Sequence, residues 1–159
     1  MMTKQAIRCA RGGGVEYDLF TSRFGDGLIA ATKTGVCDLV FADGAVADPV
    51  AMLTEHHADR SVIRAPGAFT AICDGMFSAR PVTPELDLAG STFQMDVWTA
   101  LQAIGRGETV SYQGLARRIE GPDATPEVAK AVARNRTAGL APVSFTHITC
   151  PTHSRVHNA

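Results

Sequence analysis

Charge is scarce in this chain. Asp, Glu, Lys and Arg make up 19% of 159 residues and nearly cancel, leaving a formal net charge of −1. Wholesale coating of a polyanion is thereby excluded, though a local basic surface is not. Cysteine is sparse as well. Cys9, Cys37, Cys73 and Cys150 lie far apart, with no C-x-x-C pair and no zinc-like spacing, so neither a disulfide scaffold nor a zinc finger is expected. Reduced thiols in a cytoplasmic protein are the default. No apolar run approaches the roughly 20 residues that span a bilayer, so no membrane partner is expected. The start, from Met1 to Arg8, lacks the apolar core of a secretory signal. Internal repeats and low-complexity runs are also absent.

What is present reads as an ordinary globular protein. Hydrophobic residues make up 45% of the chain, enough for one domain with a core or for two small lobes sharing an interface. The charge is uneven. Residues 1–92 carry 8 basic and 11 acidic side chains, whereas 93–159 carry 7 and 5. A nucleic-acid-facing second half is permitted by that gradient and not required by it.

The order of elements predicts an α+β fold. Val15–Phe20, Gly27–Ala31 and Val36–Phe41 have strand character, the last two joined by a Lys33-Thr34-Gly35 turn. Asp48-Pro49 starts a helix to about His57, a capping side chain followed by the first-turn position that suits proline. Another helix is expected over Gly67–Ala79, with Phe69, Ile72, Cys73, Met76 and Phe77 at helical spacing. Pro81 to Pro84 begins a linker, and Leu86-Asp87-Leu88 is extended. Ser91 and Gln94 form a capping box, after which Phe93, Val97, Leu101 and Ile104 follow one face, ending at Gly105-Arg106-Gly107. Ser111 caps Tyr112–Ile119, with Leu115 and Ile119 inward. After Gly121-Pro122, Thr125-Pro126-Glu127 opens a third helix to about Arg134, buried through Val128 and Val132. The last two helices and their turn make a helix-turn-helix candidate. Trp98 and Phe93 are expected as core anchors, His56 and His57 as exposed helix-end residues without metal, and Cys9, Cys37 and Cys73 as ordinary thiols.

Three pieces in order carry a resemblance. Phe93-Gln94-Met95-Asp96-Val97-Trp98, then Gly107-Glu108-Thr109-Val110-Ser111-Tyr112, then Asn135 through Pro142 resemble the C-terminal domain of methylated-DNA–protein-cysteine methyltransferases, the suicidal O6-alkylguanine repair proteins. The second piece is close to that family's G-E-T-x-S-Y. The resemblance implies an N-terminal α+β, ribonuclease H-like lobe over residues 1–88 and a winged-helix-like DNA-binding lobe over 89–159. It implies stoichiometric transfer of an alkyl group from guanine O6 (and thymine O4) to a protein cysteine. No cofactor is needed, nor any metal in the transfer itself. The implied partner is double-stranded DNA carrying alkylated guanine, met from the minor groove by a monomer that flips the damaged base out of the stack.

Position by position, the resemblance gives Tyr112 the contact with the target nucleotide's 3′ phosphate and residues 123–134 the recognition helix. Lys130 and Arg134, with Arg117, Arg118 and Arg136, become phosphate-contact candidates. Asn135 matches the asparagine that braces the helix-turn-helix near the active site. Other slots depart from the pattern. Pro126 stands where an arginine finger fills the vacated stack, although an apolar wedge can substitute. Pro142 opens the reactive Pro-Cys-His-Arg motif, yet Val143, Ser144 and Phe145 follow it. Alkyl transfer needs a thiolate raised by a neighbouring histidine, so impaired transfer is expected. The glutamate that orients that histidine would lie beyond Ala159.

Cys150 and His153 repeat the right residue types seven places downstream, but they fill the slot only by a seven-residue loop-out, so a chance cysteine in a tail is the default reading. The sequence also permits a shifted reading frame. CCC GTG TCA TTC encodes Pro-Val-Ser-Phe, and one base on, the same bases read Pro-Cys-His. An alkyltransferase-like binder that recognises alkylated DNA without a nucleophile is the other expectation, and a frame-shifted inactive product a third.

Overall fold

Alternating apolar and polar residues after Gly14 form an antiparallel meander that sets the rest of the molecule around it. The computed structural model describes residues 13–42, 48–78, 83–104, 109–119 and 121–137. Strands β1 (Val15–Ser22), β2 (Gly25–Ala31) and β3 (Val36–Phe41) match the expected ones within two residues. A fourth strand, β4 (Val62–Arg64), was not expected. It pairs in parallel with β1, giving the order β3-β2-β1-β4. Three residues on a sheet edge, with Ile63 exposed, leave too short a pattern to read from sequence.

One irregularity in the sheet has large consequences. Ala30 pairs with Asp38 and Ala31 with Val36, so Cys37 is an extra residue, a β-bulge. In a regular strand, residues three apart face opposite sides. With the bulge, Val36 and Leu39 enter one core cluster while Cys37 packs in another with Val15, Leu28, Ala30 and Leu53.

The helices begin where their caps dictate. In α1 (Pro49–His56), Asp48 Oδ1 accepts from Val50 N at 3.0 Å and Ala51 N at 2.9 Å. α2 spans only Thr70–Met76. Its predicted start at Gly67 fails because Gly67 sits at φ +78°, in a turn whose N–H donates to Asp18 Oδ2 at 2.7 Å. The predicted end at Ala79 lies outside the described residues. That Gly67 N–H is the main reason the Asp18 carboxyl is held below its ordinary range. In α3 (Thr92–Gln102) both halves of the Ser91/Gln94 capping box are made. α4 (Tyr112–Ile119) and α5 (Thr125–Ala133) follow as expected, separated by a short 3-10 turn over Pro122–Ala124.

The segment before α3 lies against the sheet. Val36 N donates to Glu85 O at 2.8 Å and Asp87 N to Val36 O at 2.9 Å, which buries Leu86 and Leu88. The larger core cluster then runs without a break from the sheet (Ile29, Val36, Leu39) through α3 (Val97, Trp98, Leu101) to α4 (Leu115) and α5 (Val128, Ala131). Phe93 is only partly buried, beside that cluster. No helix among the described residues is long and apolar enough to cross a membrane.

Trp98 is buried at the centre of this cluster, and its Nε1 donates to Ala131 O at 2.9 Å. That carbonyl sits in the last turn of α5, where carbonyls lack intrahelical partners. Trp98→Phe strands it and removes apolar contact. A loss of about 2–4 kcal/mol follows, read as a lower urea midpoint with an unchanged m-value.

Candidate nucleic-acid interface

Ser111 opens α4 by accepting the Gly114 N–H on its hydroxyl at 3.0 Å. The start of the helix is thereby fixed so that Leu115 and Ala116 are buried and Arg117 and Arg118 exposed. Tyr112, in the first turn, keeps 37% of its surface exposed, a high value for a large aromatic. The helix stops at Gly121, whose φ of +127° turns the chain and whose N–H bonds back to Ala116 O at 2.9 Å.

The 3-10 turn delivers the chain into α5, which packs on both α3 and α4. Pro126 lies in the first turn, where a missing N–H costs nothing. Val128 and Ala131 face the core. On the opposite side, Pro126, Lys130 and Arg134 are all exposed. Spaced by four, they form one stripe along the helix. The structure therefore brings three of the sequence-predicted contact residues onto a single exposed face.

Asn135 follows α5 and is half-buried. Its Oδ1 accepts from Thr137 N at 3.0 Å and Thr137 Oγ1 at 2.9 Å, which buries Thr137 and shapes the exit from the helix. One residue on, Arg136 O accepts from Leu39 N at 2.8 Å, pinning this exit to β3. The chain after α5 is thus tied to β3 at Arg136. Gly107, Glu108, Pro142, Val143, Ser144, Phe145, Cys150 and His153 lie outside the described residues.

Elsewhere the fold overturns an expectation. His56 and His57 are not exposed ends: His57 is buried, and the two imidazoles meet one carboxylate. His57 Nε2 lies 2.6 Å from Asp38 Oδ2, and His56 Nδ1 lies 3.2 Å from Asp38 Oδ1. Asp38 itself is fully buried. The bulge turns it toward the C-terminal end of α1, and a buried carboxylate must be satisfied there. An aspartate inside the apolar run Val36–Phe41 was the available signal, since such a residue demands a partner.

Beside it, Cys37 donates to Ala30 O at 3.5 Å. Burial, then the charge of Asp38, pushes its thiol up to about 12. Because the thiolate is the reactive form, Cys37 with no metal bound stays protonated and slow to react with alkylating reagents at neutral pH, and that reactivity rises as pH approaches this value. Iodoacetamide at pH 8 is expected to leave Cys37 unmodified in the native chain and to label it fully in denaturant, as mapped by peptide mass spectrometry.

Residues 92–158 match the family model of the 6-O-methylguanine DNA methyltransferase DNA-binding domain. The chain is 33% identical to the "Bifunctional transcriptional activator/DNA repair enzyme Ada" of Escherichia coli, with 89% of this chain and 41% of that protein aligned. It is 48% identical over 58 residues to the methylated-DNA–protein-cysteine methyltransferase of Mycolicibacterium paratuberculosis, 36% of this chain and 35% of that one. A solved variant of Mycobacterium tuberculosis OGT has a TM-score of 0.63 at 30% identity, covering 77% of this chain and 72% of that one. Mycobacterium tuberculosis OGT in complex with DNA has a TM-score of 0.64 at 29% identity, covering 80% and 75%. The chain spans about two fifths of the length of the Ada proteins it matches.

Proposed function

The chain belongs to the methylated-DNA–protein-cysteine methyltransferase family, and from that premise we propose that it is a DNA repair protein that binds alkylated duplex DNA while its alkyl transfer is impaired. The observation that carries this reading is the exposed stripe of Pro126, Lys130 and Arg134 on α5, with Tyr112 exposed on α4. α4, its glycine turn and α5 act as a helix-turn-helix in the DNA-binding lobe. α5 enters the minor groove of a cytoplasmic DNA target, and Tyr112 presses on the phosphate 3′ of the lesion.

Lys130 and Arg134 contribute charge without base readout, as suits a protein that seeks damage and not a sequence. Pro126 serves as an apolar wedge in the position of the finger, at some loss of grip on the orphaned base. In the family reaction a thiolate sulfur attacks the alkyl carbon. The carbon–O6 bond breaks, and its electron pair returns to the guanine, which takes up a proton. Val143 supplies no sulfur and Ser144 no imidazole at the aligned positions, which is why the transfer step is the weakened one. Cys150 and His153 fall within the span that matches the family model and are the remaining source of a thiolate.

Val143 also favours a second reading, a non-catalytic binder of alkylated DNA that works as a monomer without cofactor. Incubation with duplex DNA carrying labelled O6-methylguanine separates the two. Preferential retention of methylated duplex in a gel shift is expected in either case. Sub-stoichiometric label that disappears in Cys150→Ser supports impaired transfer, and no label supports the binder. Rapid stoichiometric labelling, or no preference for methylated DNA, would overturn the proposal. If the codons for Pro142–Ser144 read Pro-Cys-His one base on, and both label and retention are absent, the chain is a frame-shifted inactive product.

A phosphate role for Arg134 predicts uniformly weaker binding in Arg134→Ala across DNA sequences. The slope of log affinity against log salt should fall by about one in magnitude, as measured by fluorescence anisotropy over a salt series.

A further inference from the structure

Cys37, Asp38 and His57 meet inside the fold although the sequence separates the strand pair from the helix end. Their ligand atoms lie within 4.8 Å of one another, and all three residues are buried. Two features of the fold make the cluster. The bulge puts the adjacent residues Cys37 and Asp38 on the same side of β3, which a regular strand forbids. The end of α1 then brings His57 over them, with the His57 N–H bonded to Leu53 O at 3.1 Å to hold that end.

We propose that Cys37 Sγ, Asp38 Oδ2 and His57 Nε2 form a divalent metal site of zinc-like chemistry, with His56 as the residue that positions the carboxylate. The donor set is one soft sulfur, one imidazole nitrogen and one carboxylate oxygen, the combination that suits Zn²⁺ over Mg²⁺ or Ca²⁺. Ligand bonds of about 2.0–2.3 Å put tetrahedral donors about 3.3–3.7 Å apart. The 2.6 Å between His57 Nε2 and Asp38 Oδ2 therefore opens by roughly 1 Å when an ion enters, a side-chain adjustment with no change of fold.

His56 Nδ1 holds the other carboxylate oxygen at 3.2 Å, leaving Oδ2 free to ligate. Charge also balances. A thiolate and a carboxylate neutralise Zn²⁺ with the imidazole neutral, so the loaded site carries no net charge into a buried region. On binding, the Cys37 thiol loses its proton to solvent. Before the ion enters, His57 Nε2–H donates to Asp38 Oδ2; on binding, Nε2 gives up that proton, Nδ1 takes one from solvent, and the imidazole stays neutral with Nε2 free to ligate. The ion would fasten α1 to the sheet on the face opposite the larger core, away from the α4–α5 stripe.

The test uses the full chain. Purified metal-free protein is titrated with Zn²⁺ against a chromophoric chelator, and with Co²⁺ as a spectroscopic probe. Uptake of one equivalent is expected, with proton release and a thiolate-to-cobalt charge-transfer band in the near ultraviolet. Cys37→Ser should abolish the band. His56→Gln should keep the band while weakening binding about 10–100-fold, a split that a purely structural role for His56 would not give. Failure of the native chain to take up zinc overturns the site without any variant. So does a band that survives in a folded Cys37→Ser protein, because the sulfur would then belong to another cysteine.

Discussion

The hydrogen bond from the Trp98 indole to the Ala131 carbonyl, made inside the larger core, is the joint that fixes α5 on α3. A helix end leaves carbonyls without partners, and a buried one must be satisfied or α5 cannot lie against the core. The indole at this position supplies that donor together with a large buried apolar surface. Its packing also requires a small neighbour: a Cβ on Gly90 would come within 2.7 Å of the Trp98 ring. The exposed stripe of α5 faces outward because Val128 and Ala131, on its other side, are held here.

A second constraint works from the sheet. The bulge at Cys37 lets one strand serve two cores, with Val36 and Leu39 toward the helices and Cys37 with Asp38 toward α1. The same strand receives the exit of α5 through the bond from Leu39 N to Arg136 O. Position in this fold is therefore transmitted from the sheet to the helical half by backbone and by packing.

These two constraints separate binding from chemistry. The DNA-facing elements proposed here depend on caps, a glycine turn and core packing, all of which this chain retains. Transfer, in the function proposed above, depends on the side chains at Val143 and Ser144, which carry neither thiol nor imidazole.

Much was legible along the chain. Asp48, Ser91 and Ser111 announced three helix starts, since capping is a local hydrogen-bond problem solved within three residues. The 3.6-residue spacing of Val97 and Leu101, and of Leu115, gave the buried faces. The contact candidates Tyr112 and Pro126 were named from a resemblance and Lys130 and Arg134 from their charge on a helix-turn-helix candidate, and helical spacing then put the last three on one face. Other features were not legible. β4 is too short to carry a period, α2 begins where Asp18 captures Gly67, and the bulge depends on how two strands slip against each other. What the sequence by itself determined was local, the caps and the periods, because each rests on neighbouring residues. Only the tertiary structure decided that Asp38 would take His56 and His57 as partners and that Trp98 would hold α5, because those contacts join residues 18 to 33 positions apart and exist only once the core has closed.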